Sequence, residues 1–236
     1  MFQKPPGIDY YQFKKQENVI PQIPPVEVKQ QQDTGIKINL KSLIILAPKE
    51  LQNIIDKEKY YKMTIGVPQS INDLYNIAYE IERDFNQKGY PLVRVILPVQ
   101  ELEPEQASVF FKVIDGFIEK VDLSKVPKAQ TLRTYAYLKP LINKKNMTLK
   151  LLERQLLLAS NSAGLTLTSS LIPGVKEGST RLVIEAKHKL LSGGISFDNM
   201  QSEQLGRQQG QANTNISSAF GLGETISLFG LARPTI

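Results

Sequence analysis

Gly89-Tyr90-Pro91-Leu92-Val93-Arg94-Val95-Ile96-Leu97-Pro98 is the stretch that decides the fold, because its plan comes round again as Gly164-Leu165-Thr166-Leu167-Thr168-Ser169-Ser170-Leu171-Ile172-Pro173. In both copies a glycine closes a helical pattern, and a proline follows nine positions later. A second strand-like run comes after each copy, Ser108 to Ile114 in the first and Ser179 to Ala186 in the second. A duplicated supersecondary unit points to tandem modules that present surfaces to a partner, and argues against a single catalytic pocket.

Working outward, the helix before Gly89 is the clearest element. Ser70 stands at a capping position with Asp73 three residues on, and Ile71, Leu74, Ile77, Ala78, Ile81 and Phe85 form one apolar stripe. Ahead of it, Ile36 to Leu40 alternates with period two and predicts a strand. Pro48, followed by Leu51, Ile54 and Ile55, predicts a first short helix. The second copy repeats this course. Phe117 to Leu123 reads as a strand, a helix through Leu132, Tyr135 and Ala136 stops at Pro140, and another starts at Thr148 with Leu149, Leu152, Leu156 and Ala159. The expected fold class is therefore α+β, with two βααββ modules over residues 36–115 and 116–190.

The flanks differ in character. Residues 1–35, with Pro5, Pro6, Pro21, Pro24 and Pro25 and the run Gln30-Gln31-Gln32, predict an extended N-terminal linker. Residues 191–236 turn rich in Gly and Ser, and Thr225 to Leu231 alternates cleanly, in the manner of membrane-barrel strands. Closing such a barrel takes at least about eight strands. This stretch offers roughly three, so the chain is expected to be part of a longer protein.

Composition removes several function classes. The 236 residues are 41% hydrophobic and 22% charged, with net charge +6. Basic and acidic residues alternate, as in Glu80-Ile81-Glu82-Arg83-Asp84, rather than forming a stripe, so no nucleic-acid partner is expected. With no Cys and His188 as the lone histidine, thiolate metal sites and Cys-His pairs are excluded within the chain, and no cofactor is expected. Glu80, Glu82 and Asp84 read as the wet face of a helix, and Asp198-Asn199 as a strand end or turn. No catalytic residue is assigned, and no enzyme is expected.

On these residues the chain resembles the two-partner secretion transporters, outer-membrane proteins that export haemolysins and filamentous haemagglutinins. Gly89-Tyr90 through Arg94, Pro98, Gln100 and Leu102 looks like the second strand of that family's first POTRA module. Val113 to Glu119 is similar to its bridge between modules. Gly164 to Gly174, then Gly178-Ser179 and Leu182, is similar to its second module. Asp198-Asn199 and Gly221-Leu222-Gly223-Glu224 look like its first barrel hairpins. The family's plug helix has no evident counterpart in residues 1–35.

The resemblance implies a Gram-negative outer-membrane protein with residues 1–190 in the periplasm. There the modules would bind an unfolded secreted exoprotein through its N-terminal secretion domain, and the barrel would meet outer-membrane lipid. The alternative is the POTRA region of an outer-membrane protein assembly factor. Capture is expected at a sheet margin, where an extended chain can add itself as another strand. Pro91 suits a margin, so Leu92 to Leu97 is placed there, with Val93, Val95 and Leu97 turned to the helices. Leu92, Arg94 and Ile96 are expected to face outward and, with Tyr90, form the candidate partner-binding set. Two readings compete: Pro91 and Arg94 as gatekeepers against unwanted edge pairing, and Tyr90 as core packing.

Overall fold

The stripe on the helix before Gly89 has somewhere to go. In the computed structural model, which describes residues 19–21, 37–103, 105–198 and 208–232, three three-stranded sheets follow one another along the chain. The first holds β1 (Leu40–Leu46), β2 (Arg94–Ile96) and β3 (Ala107–Ile114) in the order β1-β3-β2. β1 runs parallel to β3, and β2 antiparallel. Helices α1 (Lys57–Thr64) and α2 (Ile71–Gln87) lie between β1 and β2 in the chain. Leu74, Ala78, Ile81 and Phe85 of α2 are buried against Val93, Val95, Val109, Phe111 and Val113 of the sheet side. Ser70 and Asp73 form the reciprocal capping box: the Asp73 amide donates to the Ser70 hydroxyl at 3.2 Å, and the Ser70 amide to the Asp73 carboxylate at 2.8 Å.

Two expectations for this module need correction. The first strand runs from Leu40, whereas the expected start at Ile36 lies outside the described residues. Ile38 makes only an isolated bridge to Gln69, and the pairing with β3 starts beyond it. The expected helix after Pro48 shrinks to one 3-10 turn, Lys49–Leu51, and the helix proper starts later. Asp56 is the reason, since its carboxylate accepts the Glu58 and Lys59 amides and makes a far better cap. Leu51 and Ile55 are buried all the same.

The second sheet repeats the plan with β4 (Phe117–Lys125), β5 (Leu165–Pro173) and β6 (Ser179–His188) in the order β4-β6-β5. Its helices are α3 (Lys128–Leu138), after which Pro140 sits in a 3-10 turn, and α4 (Leu149–Ser160), capped by Thr148. The third sheet is an antiparallel meander of β7 (Leu191–Asp198), β8 (Gln209–Ser217) and β9 (Thr225–Ala232). Its register sets Leu191, Gly193, Ile195 and Phe197 opposite Ile216, Thr214, Ala212 and Gly210, and these opposite Ile226, Leu228, Gly230 and Ala232. One face of the meander is thus mostly apolar, yet Ile195, Phe197 and Leu228 are well exposed. The other face carries Ser192, Asn213, Asn215 and Ser227, with Ser227 donating to Asn215 at 2.7 Å, although Phe229 and Leu231 also lie on it. An apolar row left bare beside a polar one is the pattern of a strand set whose outer solvent is lipid.

The two modules are joined by a residue expected on the surface. Leu92 is only 3% exposed and belongs to the core of the second module, beside Ile118, Leu152 and Leu182. Its expected outward orientation is overturned. Gly89 takes a positive φ of 87°, so the chain turns before β2 begins and carries Tyr90 to Leu92 toward the neighbouring module. The Leu92 carbonyl then packs so close to Gly116 that a Cβ there would sit 1.9 Å from it. Around this contact the Leu149 amide donates to the Gly89 carbonyl at 2.8 Å, the Asn146 amide donates to the Asp115 carboxylate, and Lys112 pairs with Glu177. Leu92→Ala is expected to destabilise the chain by about 2–4 kcal/mol, as for other buried leucine truncations. Chemical unfolding in mild detergent checks this. The variant is also expected to split one transition into two, because this side chain, carried on the first module's chain, is seated in the second module's core.

Candidate partner-binding margins

Strand β2 lies at the margin of its sheet, as expected, and β5 lies at the margin of the second sheet, but they are very different margins. β2 has three residues and is closed from the helix side. The Val95 amide points away from β3 and donates to the Glu82 carboxylate at 3.0 Å. The other carboxylate oxygen accepts from the Arg94 guanidinium at 2.8 Å. Glu82 is therefore not on a wet face. Its side chain is 3% exposed, and it latches α2 to the strand edge. Burial pushes the Glu82 carboxyl above its ordinary value, while the Val95 amide and Arg94 pull the other way.

This arrangement redistributes the four candidate residues. Leu92 is inside the joint and unavailable. Arg94 is half-buried and committed to Glu82, which favours its gatekeeper reading. Tyr90 packs partly against the first core. Ile96 alone faces solvent to a useful degree, at 38% exposure. Beyond Ile96 the Pro98 imino nitrogen cannot continue the ladder. Gln100 stands in: its side-chain oxygen accepts from the Phe110 amide at 2.9 Å, and its nitrogen donates to the Phe110 carbonyl at 3.2 Å. A side chain thereby copies the hydrogen bonds of a missing strand residue.

β5 is open. It runs for nine residues, and its ladder with β6 has no irregularity. The Lys189 amide donates to the Gly164 carbonyl and the Gly174 amide to the Ser179 carbonyl, so the even-numbered residues between pair with β6. The backbone groups of Leu167, Ser169 and Leu171 then aim outward. Among the described residues they meet no partner beyond β6. Thr166, Thr168 and Ser170 line the exposed face, with no charge and no internal proline to blunt the edge. The closing turns of α4, Gln155-Leu156-Leu157-Leu158-Ala159, hold no carboxylate that could act as Glu82 does; Leu157 is exposed instead.

The module next to the meander is also tied down. Gln130 of α3, fully buried, donates to the Ser218 carbonyl and hydroxyl at 3.2 and 3.0 Å, and Arg133 donates to the Leu222 carbonyl. A Cβ on Gly221 would meet the Ala129 carbonyl at 2.2 Å, so the β8–β9 turn sits flush on the helix. His188 is not part of any group of possible metal ligands among the described residues. Asn199 lies outside those residues, as does the expected linker apart from residues 19–21.

Comparisons with known proteins agree with this architecture. No protein-family profile matches the chain. It is 27% identical over 197 residues to the heme/hemopexin transporter protein HuxB of Haemophilus influenzae, which covers 82% of this chain and 34% of that protein. It is 26% identical over 198 residues to the hemolysin transporter protein ShlB of Serratia marcescens, covering 81% of this chain and 32% of that protein. The chain thus spans about a third of the length of the curated relatives it matches. Among solved structures, CdiB from Escherichia coli superposes with a TM-score of 0.58 over 88% of this chain and 38% of its own, at 13% identity. CdiB from Acinetobacter baumannii gives 0.50 over 91% and 42%, at 16% identity. The resemblance to two-partner secretion transporters is borne out, and with it the fold of two POTRA modules leading into barrel strands.

The latch makes a pH-dependent prediction. Arg94→Ala strands a buried carboxylate, and is expected to destabilise the first module by about 2–4 kcal/mol near neutral pH. Without the guanidinium the folded-state carboxyl rises further above 4.5, so the folded chain binds a proton where the unfolded chain does not. Stability is then lost as pH rises through that window and regained as it falls. Thermal unfolding is expected to show a smaller gap between variant and parent at about pH 5 than at about pH 7.5.

Proposed function

We propose that the chain is the periplasmic capture region, with the first barrel strands, of an outer-membrane transporter that exports a large partner protein, and that it has no catalytic role. The observation that carries this is the β5 margin, uncovered among the described residues, in a two-module fold whose sequence relatives are transporters. An exported protein has to stay unfolded to thread a pore, and an unfolded chain offers above all its backbone. A bare margin binds backbone amides and carbonyls without demanding one sequence. In this proposal the secretion domain of the exoprotein pairs with Leu167, Ser169 and Leu171 on their outward side. Ile96 of the first module supplies an apolar contact. The joint at Leu92 holds the two modules in fixed relation, and the Gln130–Ser218 contact delivers the captured chain at the mouth of the barrel. The assembly-factor alternative lacks sequence relatives of its kind among those found.

The test uses the secreted protein encoded by the neighbouring reading frame. Lysines are what natural margins use to refuse a strand, so Thr168→Lys with Ser170→Lys is expected to weaken binding of its amino-terminal domain about tenfold or more. Stability should stay within about 0.5 kcal/mol, since both side chains are exposed. Titration by fluorescence anisotropy reads the affinity, and thermal unfolding controls for fold. Unchanged affinity in a folded variant would remove β5 as the capture strand.

A further inference from the structure

The inward row of β5 reads Leu165, Leu167, Ser169, Leu171. All three leucines are buried, Leu167 and Leu171 in the core of the second module, and a serine stands where a fourth large side chain belongs. The gap is filled from far away in the chain. Val19 is 1% exposed, belongs to that core, and its carbonyl accepts the Ser169 hydroxyl at 2.5 Å. Pro21 is buried as well, while Ile20 between them is exposed and the chain bends at Val19 and Ile20. Val19 is no neighbour of β5 in sequence: 150 residues separate it from Ser169.

We infer that Ser169 marks a socket in the second module for a short apolar peptide, and that the chain's own Val19–Pro21 segment is a displaceable occupant of it. Three features support this. Among the described residues, the occupant is joined to β5 through one side-chain hydrogen bond rather than a ladder. The outward backbone groups of Leu167, Ser169 and Leu171 have no partner among the described residues even with the occupant in place. The hold is one β-branched side chain, one proline and one hydrogen bond, set against the entropy of ordering the segment, which makes it exchangeable rather than permanent. A tethered occupant also lowers the apparent affinity of any competitor by the fraction of time it is seated. In the cell the competitor would be an extended apolar stretch of the exported protein, and in that one respect the inference rests on the transport reading above. An incoming strand would then find margin and socket together, the first reading its backbone and the second one of its side chains.

The probe is a fluorescein-labelled synthetic peptide of residues 15–25, titrated against the full chain in mild detergent. Val19→Asp disables the tethered occupant, so it is expected to bind the peptide at least tenfold more tightly than the parent chain. Val19→Ala, which adds no charge, should fall between them. Adding Ser169→Leu to Val19→Asp fills the socket from within and is expected to abolish binding while the thermal midpoint holds or rises. Equal binding by parent and Val19→Asp, or no binding by either while folded, would overturn the socket. So would unfolding of the second module in both Val19 variants without recovery on adding peptide, since the segment would then be an integral strap. None of these readings depends on export. If the peptide behaves as expected while the exoprotein's amino-terminal domain fails to compete with it, the socket stands and the transport reading falls.

Discussion

The insertion of Leu92 into the neighbouring module governs much of what surrounds it. To reach that position the chain must turn at Gly89 and spend Tyr90 to Leu92 on the crossing, so β2 starts late and stays three residues long. A strand so short has little ladder to hold it, and its outward amide at Val95 would be left without a partner. Glu82 supplies that partner from α2, and Arg94 balances the buried charge. The joint, the short strand and the carboxylate latch are one connected device. Its consequence is functional, because the first module has no free margin left on that side.

The second copy of the unit follows the same sequence plan without this diversion. Gly164 also takes a positive φ, of 69°, yet β5 starts at the next residue and runs to Pro173. The equal glycine-to-proline spacing therefore conceals a change of facing. In the first copy Val93 and Val95 are the buried residues, whereas positions at the same distance from Gly164, Thr168 and Ser170, are exposed. A shift of one residue reverses every side chain of a strand. Duplication has produced one closed margin and one open one.

Much of this was legible from the residues. The α2 stripe with its capping box, the α3–Pro140 stop, the Thr148 cap and the alternation of Thr225 to Leu231 all follow from local chemistry, and the elements formed where that chemistry put them. The misses share a different cause. Period-two alternation, extended through the turn, points Leu92 outward, and nothing local to Leu92 announces a core belonging to residues 118–184. Glu82 sits among Glu80 and Asp84 in a run that looks uniformly wet, and only the tertiary approach of Val95 singles it out. Asp56 could have been recognised as a cap two residues before Glu58, had Pro48 not offered a more familiar helix start. Ser169 carried a signal that went unused: a hydroxyl in a row of leucines implies that something else completes the row.

The contrast between the margins bears on direction. A chain captured at β5 lies on the module whose α3 is joined to the β8–β9 turn through Gln130, Arg133 and the close packing of Gly221. A chain captured at β2 would lie one module further from the barrel strands. On the proposed reading, closing the distant margin with a buried ion pair and leaving the near one open would bias an unfolded guest toward the module nearest the barrel strands. Exposed polar side chains along Thr166, Thr168 and Ser170 keep that opening soluble without charging it, so the bare backbone remains the strongest attraction the surface offers to an extended chain.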